Sequence, residues 1–363
     1  MKIVHVISSI EDKSAGTVDV VLSLCREQHK LGHEVVLVTL GQASKFDYGF
    51  KVVFGARSFN FLRKFGYSKD LRKILSKEVR DADIVHNHML WMYPNIISAF
   101  VAKKFNKTLI NSPHGALTNY ARSRSRIKKT IISILGQKRA YNYSSVVHLT
   151  DESERYELSG TSWNRKSMIV PIGINGPEKI NKRNQQKKIL FLSRIDKKKG
   201  ADILIKSFKS VKKDFPEWKL EIVGPFNDDL IKSELLDLVG EDQSITFIPP
   251  ILGNDKFSKM SEASIFVLPT HSENFGLVVG EALLSGTPVI CSKGAPWKGL
   301  NDNNCGRWVD LELLSDALRE MMSMPEEVLL EMGLNGRNWI SSQYSWKEIA
   351  NQTLNMYELA RSN

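Results

Sequence analysis

Residues 265–291 read Ile265-Phe-Val-Leu-Pro-Thr-His-Ser-Glu-Asn-Phe-Gly-Leu-Val-Val-Gly-Glu-Ala-Leu-Leu-Ser-Gly-Thr-Pro-Val-Ile-Cys291. The apolar run Ile265 to Leu268 stops at Pro269, which cannot extend a hydrogen-bonded ladder. A helical pattern from Gly276 to Leu284 follows, then a second apolar run from Pro288 to Cys291. Strand, helix and strand in so short a segment make the βαβ unit of a parallel sheet. Ser272 or Asn274 is expected to cap the helix. Glu273 then stands in the loop at the carboxyl end of a strand and Glu281 inside the helix, two carboxylates spread along an elongated ligand. The amides of Phe275, Gly276, Leu277 and Val278 open the helix, where the dipole favours phosphate. An ionised carboxylate offers acceptors alone, which suits ribose and sugar hydroxyls.

Outward from this unit the same alternation recurs. Upstream strands are expected at Ile189 to Leu192, Lys219 to Val223 and Ile245 to Phe247, with helices at Ala201 to Lys212 and Asp229 to Leu238. The first half repeats the scheme: strands at Lys2 to Ile7, Glu34 to Leu40, Val52 to Phe54, Asp83 to His86, Thr108 to Asn111 and Val146 to Leu149, with helices at Thr17 to Leu31 and Lys69 to Val79. Polar density rises between Asn175 and Lys188, which places a boundary there. The expected fold class is α/β: two Rossmann-like parallel-sheet domains, 1–174 and 186–345, facing across a cleft that collects the carboxyl ends of the strands. A chain of 363 residues is long enough for two such cores.

Composition narrows the function. Apolar residues at 42% and charged residues at 25% are globular values, which excludes wholesale disorder. Cys25, Cys291 and Cys305 have neither disulfide-framework nor zinc spacing, so a reducing, cytoplasmic setting is expected. The apolar start is too short for a signal peptide, and the longest uncharged stretch, Ile84 to Ala102, carries His86, Asn87, His88, Pro94 and Asn95, which argues against a membrane span. The net charge of +11 sits entirely in the first half, where residues 1–170 hold 27 Lys+Arg against 14 Asp+Glu. Residues 84–150 contain ten basic residues and no acidic one. That stretch faces something anionic, or solvent.

Two glutamates separated by seven residues, Phe275-Gly276 between them and Gly286-Thr-Pro-Val-Ile290 after, resemble the signature of the retaining nucleotide-sugar glycosyltransferases of family four (glycosyltransferase group 1), which have the GT-B fold. Phe191-Leu-Ser-Arg-Ile-Asp-Lys-Lys-Lys-Gly200 is similar to the family's Gly-Arg-Leu segment, with Ser193 in place of Gly. The resemblance makes Arg194 and Lys199 the pyrophosphate-binding cations, with Lys197 and Lys198 leaving the lysine open by one or two positions. Gly16, after Ser14 and Ala15, stands where the family brings a glycine backbone to the donor phosphates. Asn111-Ser-Pro-His-Gly115 resembles a loop whose histidine approaches the donor sugar, so His114 is expected to donate to a hydroxyl or to the leaving phosphate at a pKa near neutrality. By the same resemblance, the helix Trp346 to Ala360 crosses back onto the first domain.

The implied enzyme moves a hexose from a nucleoside-diphosphate sugar to a saccharide hydroxyl with retention, on a lipid-linked acceptor in bacterial surface polysaccharide synthesis. Glu273, Arg194, Lys199 and His114 are its expected catalytic residues; Gly16, Asn274, Phe275, Gly276, Leu277, Val278 and Glu281 hold the donor; no cofactor and no metal are expected. His86 and His88 have metal spacing, but no third ligand is apparent in the sequence. Asp81-Ala82-Asp83 lies at the start of a strand, the wrong end for a parallel α/β site. From Ala121 to Tyr141, Arg122, Arg124, Arg126, Lys128 and Lys129 flank Ile131, Ile132, Ile134 and Leu135, a pattern for a helix on an anionic membrane face or for a solvated basic helix with its apolar side in the core. The rival readings are an epimerase or inverting transferase on the same fold, and a polyanion binder without catalysis. No nucleic-acid-binding motif accompanies the charge, so no nucleic-acid partner is expected.

Overall fold

The computed structural model describes residues 1–11, 16–42, 46–58, 61–123, 125–163, 166–177, 186–251 and 253–362. It divides into two compact units: Met1–Gly173 with Trp346–Asn363, and Ile174–Ser345. The first unit runs β1 (Lys2–Val6), α1 (Gly16–Lys30), β2 (Glu34–Leu40), β3 (Lys51–Gly55), α2 (Leu71–Val79), β4 (Ile84–His88), α3 (Tyr93–Lys104), β5 (Thr108–Ser112), α4 (Asn119–Ser123), α5 (Arg126–Ile132), α6 (Lys138–Tyr141), β6 (Val146–Leu149), α7 (Glu152–Ser159) and β7 (Ser167–Ile169). The second runs β8 (Gln186–Leu192), α8 (Ala201–Val211), β9 (Lys219–Val223), α9 (Asp229–Val239), β10 (Ile245–Ile248), α10 (Asn254–Glu262), β11 (Ala263–Leu268), α11 (Leu277–Leu284), β12 (Val289–Ser292), α12 (Gly299–Asp302), β13 (Gly306–Val309), α13 (Leu314–Met322) and α14 (Glu326–Gln343). Helix α15 (Trp346–Arg361) belongs to the first unit.

Both sheets are parallel, in the orders β3-β2-β1-β4-β5-β6-β7 and β10-β9-β8-β11-β12-β13. Parallel strands are covered on both faces, which is why β2 and β11 read as near-continuous apolar runs and are buried, β2 from Val35 onward and β11 along its length. Strand β4, Ile84-Val-His-Asn-His88, is as deeply buried but far more polar. Its register explains this. Side chains alternate along a strand, and Ile3, Ile84, Ile110 and Val146 lie on one face, packed against Ile349, Met356 and Tyr357 of α15. Two residues further along, the same face presents His5, His86, Ser112 and His148. The face changes from hydrocarbon to imidazole toward the carboxyl ends of the strands.

The uncharged stretch 84–102 splits into β4 and α3, and no helix among the described residues is long and apolar enough to cross a membrane. Asp83 accepts from the Lys2 amide at 2.8 Å and pairs with Arg361 at 3.2 Å, so the Asp-x-Asp match ties the amino-terminal strand edge to α15.

Candidate active site

In the second sheet the strand order reverses between β8 and β11: from β8 the chain steps outward to β9 and β10, then returns to β11 on the other side. Loops leaving these two neighbours diverge, and doubly wound sheets bind ligands at this point. The loop after β8 carries Arg194 to Gly200. Gly200 has φ of 71°, and a Cβ there would lie 2.1 Å from the Pro269 carbonyl oxygen, so glycine alone lets the two loops touch. Thr270 Oγ1 and the His271 amide donate to the Lys198 carbonyl at 3.0 and 2.8 Å. Held this way, the Lys199 ammonium pairs with the Glu273 carboxylate, both side chains being largely buried. Arg194 projects 62% exposed, its Nε donating to Asp196 Oδ2 at 3.0 Å, while Asp196 Oδ1 accepts from the Lys199 amide at 3.1 Å. Of the three adjacent lysines it is therefore Lys199 that meets Glu273; Lys197 pairs with Glu234 at the surface.

Neither Ser272 nor Asn274 caps α11. Gly276, in the left-handed region at φ 77°, is the residue before Leu277, and the helix has no side-chain cap. A backbone reversal at glycine replaces the expected side-chain cap, leaving Leu277 and Val278 to open the helix. The Phe275 side chain is 6% exposed and packs edge-on against Trp297 with centroids 5.2 Å apart; Trp297 Nε1 donates to the Phe275 carbonyl at 2.6 Å. Phe275 thus anchors the loop through its ring and has only its backbone to offer a ligand. Glu281 accepts from Lys256 of α10 at 2.6 Å. Lys256 escaped the sequence reading, since nothing in an exposed amphipathic helix marks one lysine among several.

In the first unit the reversal lies between β1 and β4. Gly16, exposed, opens α1 beside it, whereas Ser14 and Ala15 fall outside the described residues. His114 follows β5 in a left-handed conformation, φ 49°. Its loop is held from below by Glu154, whose buried carboxylate accepts from the Gly115 amide at 2.6 Å and the Thr150 amide at 2.8 Å. Burial pushes that carboxyl up in pKa against those two amides. The His114 ring bonds to His88 at 3.0 Å, and burial drives its pKa to about 3, so the expectation of a near-neutral titration is corrected: the ring is uncharged. His5 also stands beside His86 and His88, in register with His86, and supplies the third histidine that the sequence did not reveal. The three offer nitrogens within 4.8 Å of one another. Each of those nitrogens is already engaged by a protein partner.

The basic segment is not one helix. It breaks into α4, α5, a π-turn over Ser133–Gln137 and α6, with the break at Gly136, φ 147°. Its apolar side chains do not enter the core: Ile127, Ile131, Ile134 and Leu135 are 78, 51, 80 and 74% exposed. Arg122, Arg126 and Lys128 are exposed beside them. Lys129 instead folds inward, donating to the Ala121 carbonyl and lying 5.6 Å from the Trp91 ring centre, and Arg124 lies outside the described residues.

Residues 14–175 match the family described as Glycosyltransferase Family 4, and residues 175–339 match Glycosyl transferases group 1. The chain belongs to this family of group 1, family 4 glycosyltransferases. It is 27% identical over 224 residues to a phosphatidyl-myo-inositol mannosyltransferase of Mycobacterium leprae, 58% of either chain. It is 22% identical over 326 residues to a D-inositol 3-phosphate glycosyltransferase of Nocardioides, 80% of this chain and 70% of that one. The matched part spans about half the length of the mannosyltransferases, 47% for that of Mycobacterium tuberculosis. Among solved structures, Anabaena HepE in complex with UDP and glucose superposes with a TM-score of 0.74 at 14% identity over 99% of both chains. A Rickettsia africae glycosyltransferase gives 0.76 at 17% identity, covering 100% of this chain and 99% of that one. These likenesses establish the GT-B fold class.

Proposed function

We propose that this protein is a glycosyltransferase that moves a hexose from a nucleoside-diphosphate sugar to a saccharide hydroxyl with retention at the anomeric carbon. The observation that carries the reading is the pairing of Lys199 with Glu273 where the β8 and β11 loops diverge, before the opening of α11, with Arg194 on the same β8 loop held by Asp196. Arg194 and Lys199 neutralise charge growing on the leaving diphosphate, in the role a divalent cation otherwise takes; one well-placed donor of this kind is worth about 3 to 4 kcal/mol. Glu281 accepts from ribose hydroxyls, Glu273 and the Phe275–Gly276 backbone hold the sugar, and the family resemblance assigns His114 to the donor sugar as well. With no covalent nucleophile assigned, attack is on the face the leaving group departs from.

Exposed isoleucines beside Arg122, Arg126 and Lys128 support docking of the first unit on an anionic membrane face, with a lipid-linked saccharide as acceptor. The mannosyltransferase relatives, whose names carry a phosphatidyl lipid, favour the same class of acceptor. A panel of nucleotide sugars, screened for thermal stabilisation and then for transfer, tests the reading. Donor-selective stabilisation with an axial or equatorial product matching the donor supports it. Donor turnover without acceptor would make the enzyme an epimerase, and an inverted product would remove retention.

A further inference from the structure

The buried face of the first sheet holds a continuous run of side-chain hydrogen bonds whose direction is set at one end. His148 Nε2 lies 2.8 Å from the Val170 carbonyl oxygen, which only accepts, so the proton is on Nε2 and Nδ1 needs a donor. Ser112 Oγ, 2.9 Å away, has one proton and gives it to that nitrogen. The serine oxygen must then accept, so His86 Nε2 donates to it at 2.6 Å and His86 Nδ1 becomes an acceptor. Tyr357 fills that need with its single proton at 2.6 Å. Its oxygen in turn accepts from Gln28 Nε2 at 3.2 Å, which turns the Gln28 carbonyl oxygen toward His5 Nε2 at 2.7 Å. His5 Nδ1 then accepts from His88 Nε2 at 2.9 Å, and His88 Nδ1 from His114 Nε2 at 3.0 Å. Reversing any one link would leave two lone pairs, or two protons, facing each other in the interior. Two hydroxyls with one proton apiece act as ratchets.

We propose that this one-way relay fixes His114 with its proton on Nε2 and a bare lone pair on Nδ1, so that His114 meets the donor sugar as a hydrogen-bond acceptor for a hydroxyl, with Tyr357 and Gln28 as remote positioning residues. Nδ1 has no hydrogen-bond partner among the described residues, and the residue as a whole is half-buried at the end of the relay. The role toward sugar rests on the glycosyltransferase reading; the fixed tautomer does not. Burial keeps the rings neutral, His5 and His148 being held down to about 4 and His86 and His88 well below their usual range, so a protonated ring does not enter the relay near neutrality. The relay also fills the nitrogens of His5, His86 and His88, and is therefore an alternative to a metal ion among them.

Nitrogen-15 spectra of the histidine rings in the full chain test this without any variant. At neutral pH, His114 should show a protonated Nε2 and an unprotonated Nδ1 as a single species. A proton on Nδ1, or an averaged pair of tautomers, overturns the relay, as does stoichiometric Zn²⁺ uptake that perturbs the His5, His86 and His88 rings together. In Tyr357→Phe the ratchet is gone, Gln28 is free to turn over, and His114 should become a mixture. A single unchanged tautomer in that variant overturns the assignment of control to Tyr357. An equal mixture halves the competent fraction, which raises the KM for the sugar donor about twofold and leaves the affinity for bare nucleoside diphosphate unchanged. If the tautomers mix while that KM stays constant, His114 does not accept from the sugar. A protein that turns over no nucleotide sugar but keeps the expected ring spectrum removes the proposed function and leaves the relay.

Discussion

Lys199 and Glu273 form a largely buried ion pair that joins the loops leaving two adjacent parallel strands, β8 and β11. On the proposed glycosyltransferase reading, the pair sets a lysine for the diphosphate beside a carboxylate for sugar hydroxyls. Alanine at Lys199 or at Arg194 should lower turnover by about two orders of magnitude or more with the fold retained. Lys197→Ala, which loses only a surface pairing with Glu234, should stay near wild type. Steady-state rates of the three variants decide the matter, and near-normal turnover in both of the first two removes the assignment.

The two glutamates have separate lysine partners, Lys199 for Glu273 in the loop before α11 and Lys256 for Glu281 within it. Glu281→Ala should weaken binding of the bare nucleoside diphosphate, by about tenfold for one lost charged hydrogen-bond acceptor. Glu273→Ala should leave that affinity close to normal and act on steps that need the sugar. Calorimetric titration with nucleotide and with nucleotide sugar separates the two, and equal losses for the bare nucleotide would contradict distinct roles.

Membrane docking has a salt signature. Basic side chains near an anionic surface contribute about 1 kcal/mol each, fading with ionic strength, whereas buried isoleucine side chains do not respond to salt in that way. Cosedimentation with vesicles containing anionic lipid should be strong at low salt. It should fall when Arg122, Arg126 and Lys128 become Ser, and fall further when Ile127 and Leu135 do. Because Lys129 is turned inward, its replacement should matter least. No binding at low salt would leave a soluble acceptor as the better reading.

Acid should unfold the first unit early. In the unfolded chain histidines take up protons below about 6.5, while the folded chain resists until about 4 at His5 and His148. The unfolded state then binds more protons throughout that window, so stability is level above about pH 7 and falls as pH drops from about 6.5 toward 4. One ring held down from 6.5 to about 4 costs about 3 kcal/mol at the acid end. Melting temperatures measured across this range should decline steeply below pH 6; a flat profile would mean that the buried rings are not neutral.

Much of the fold was legible because its strands are apolar runs, and β2, β6 and β9 occupy the segments that periodicity marks. Glu273 was legible as a loop residue just past the end of a strand, and the family resemblance pointed to Arg194 and to one of Lys197–Lys199; that Lys199 is the lysine paired with Glu273 was not legible. The histidine face was not. Gln28 and Tyr357 meet across 329 positions of sequence, and no local pattern announces such a contact. A clue lay in the strand period: His5, His86 and His148 follow Ile3, Ile84 and Val146 by two residues, which puts them on one face once the register is known. The broken basic segment escaped for a different reason, a single glycine at φ 147° that periodicity cannot weigh.

Helix α15 has a consequence for how the protein is made. Ile3, Ile84, Ile110 and Val146 emerge early in synthesis, yet the helix that covers them comes after the whole of the second unit. The first half, although translated first, is the last to be finished, and its apolar sheet face must wait in the open while some 170 residues are added. During that interval the nascent chain is a natural client for chaperones, and a ribosome stalled before Trp346 would present a half-built, sticky sheet beside a fully folded neighbour.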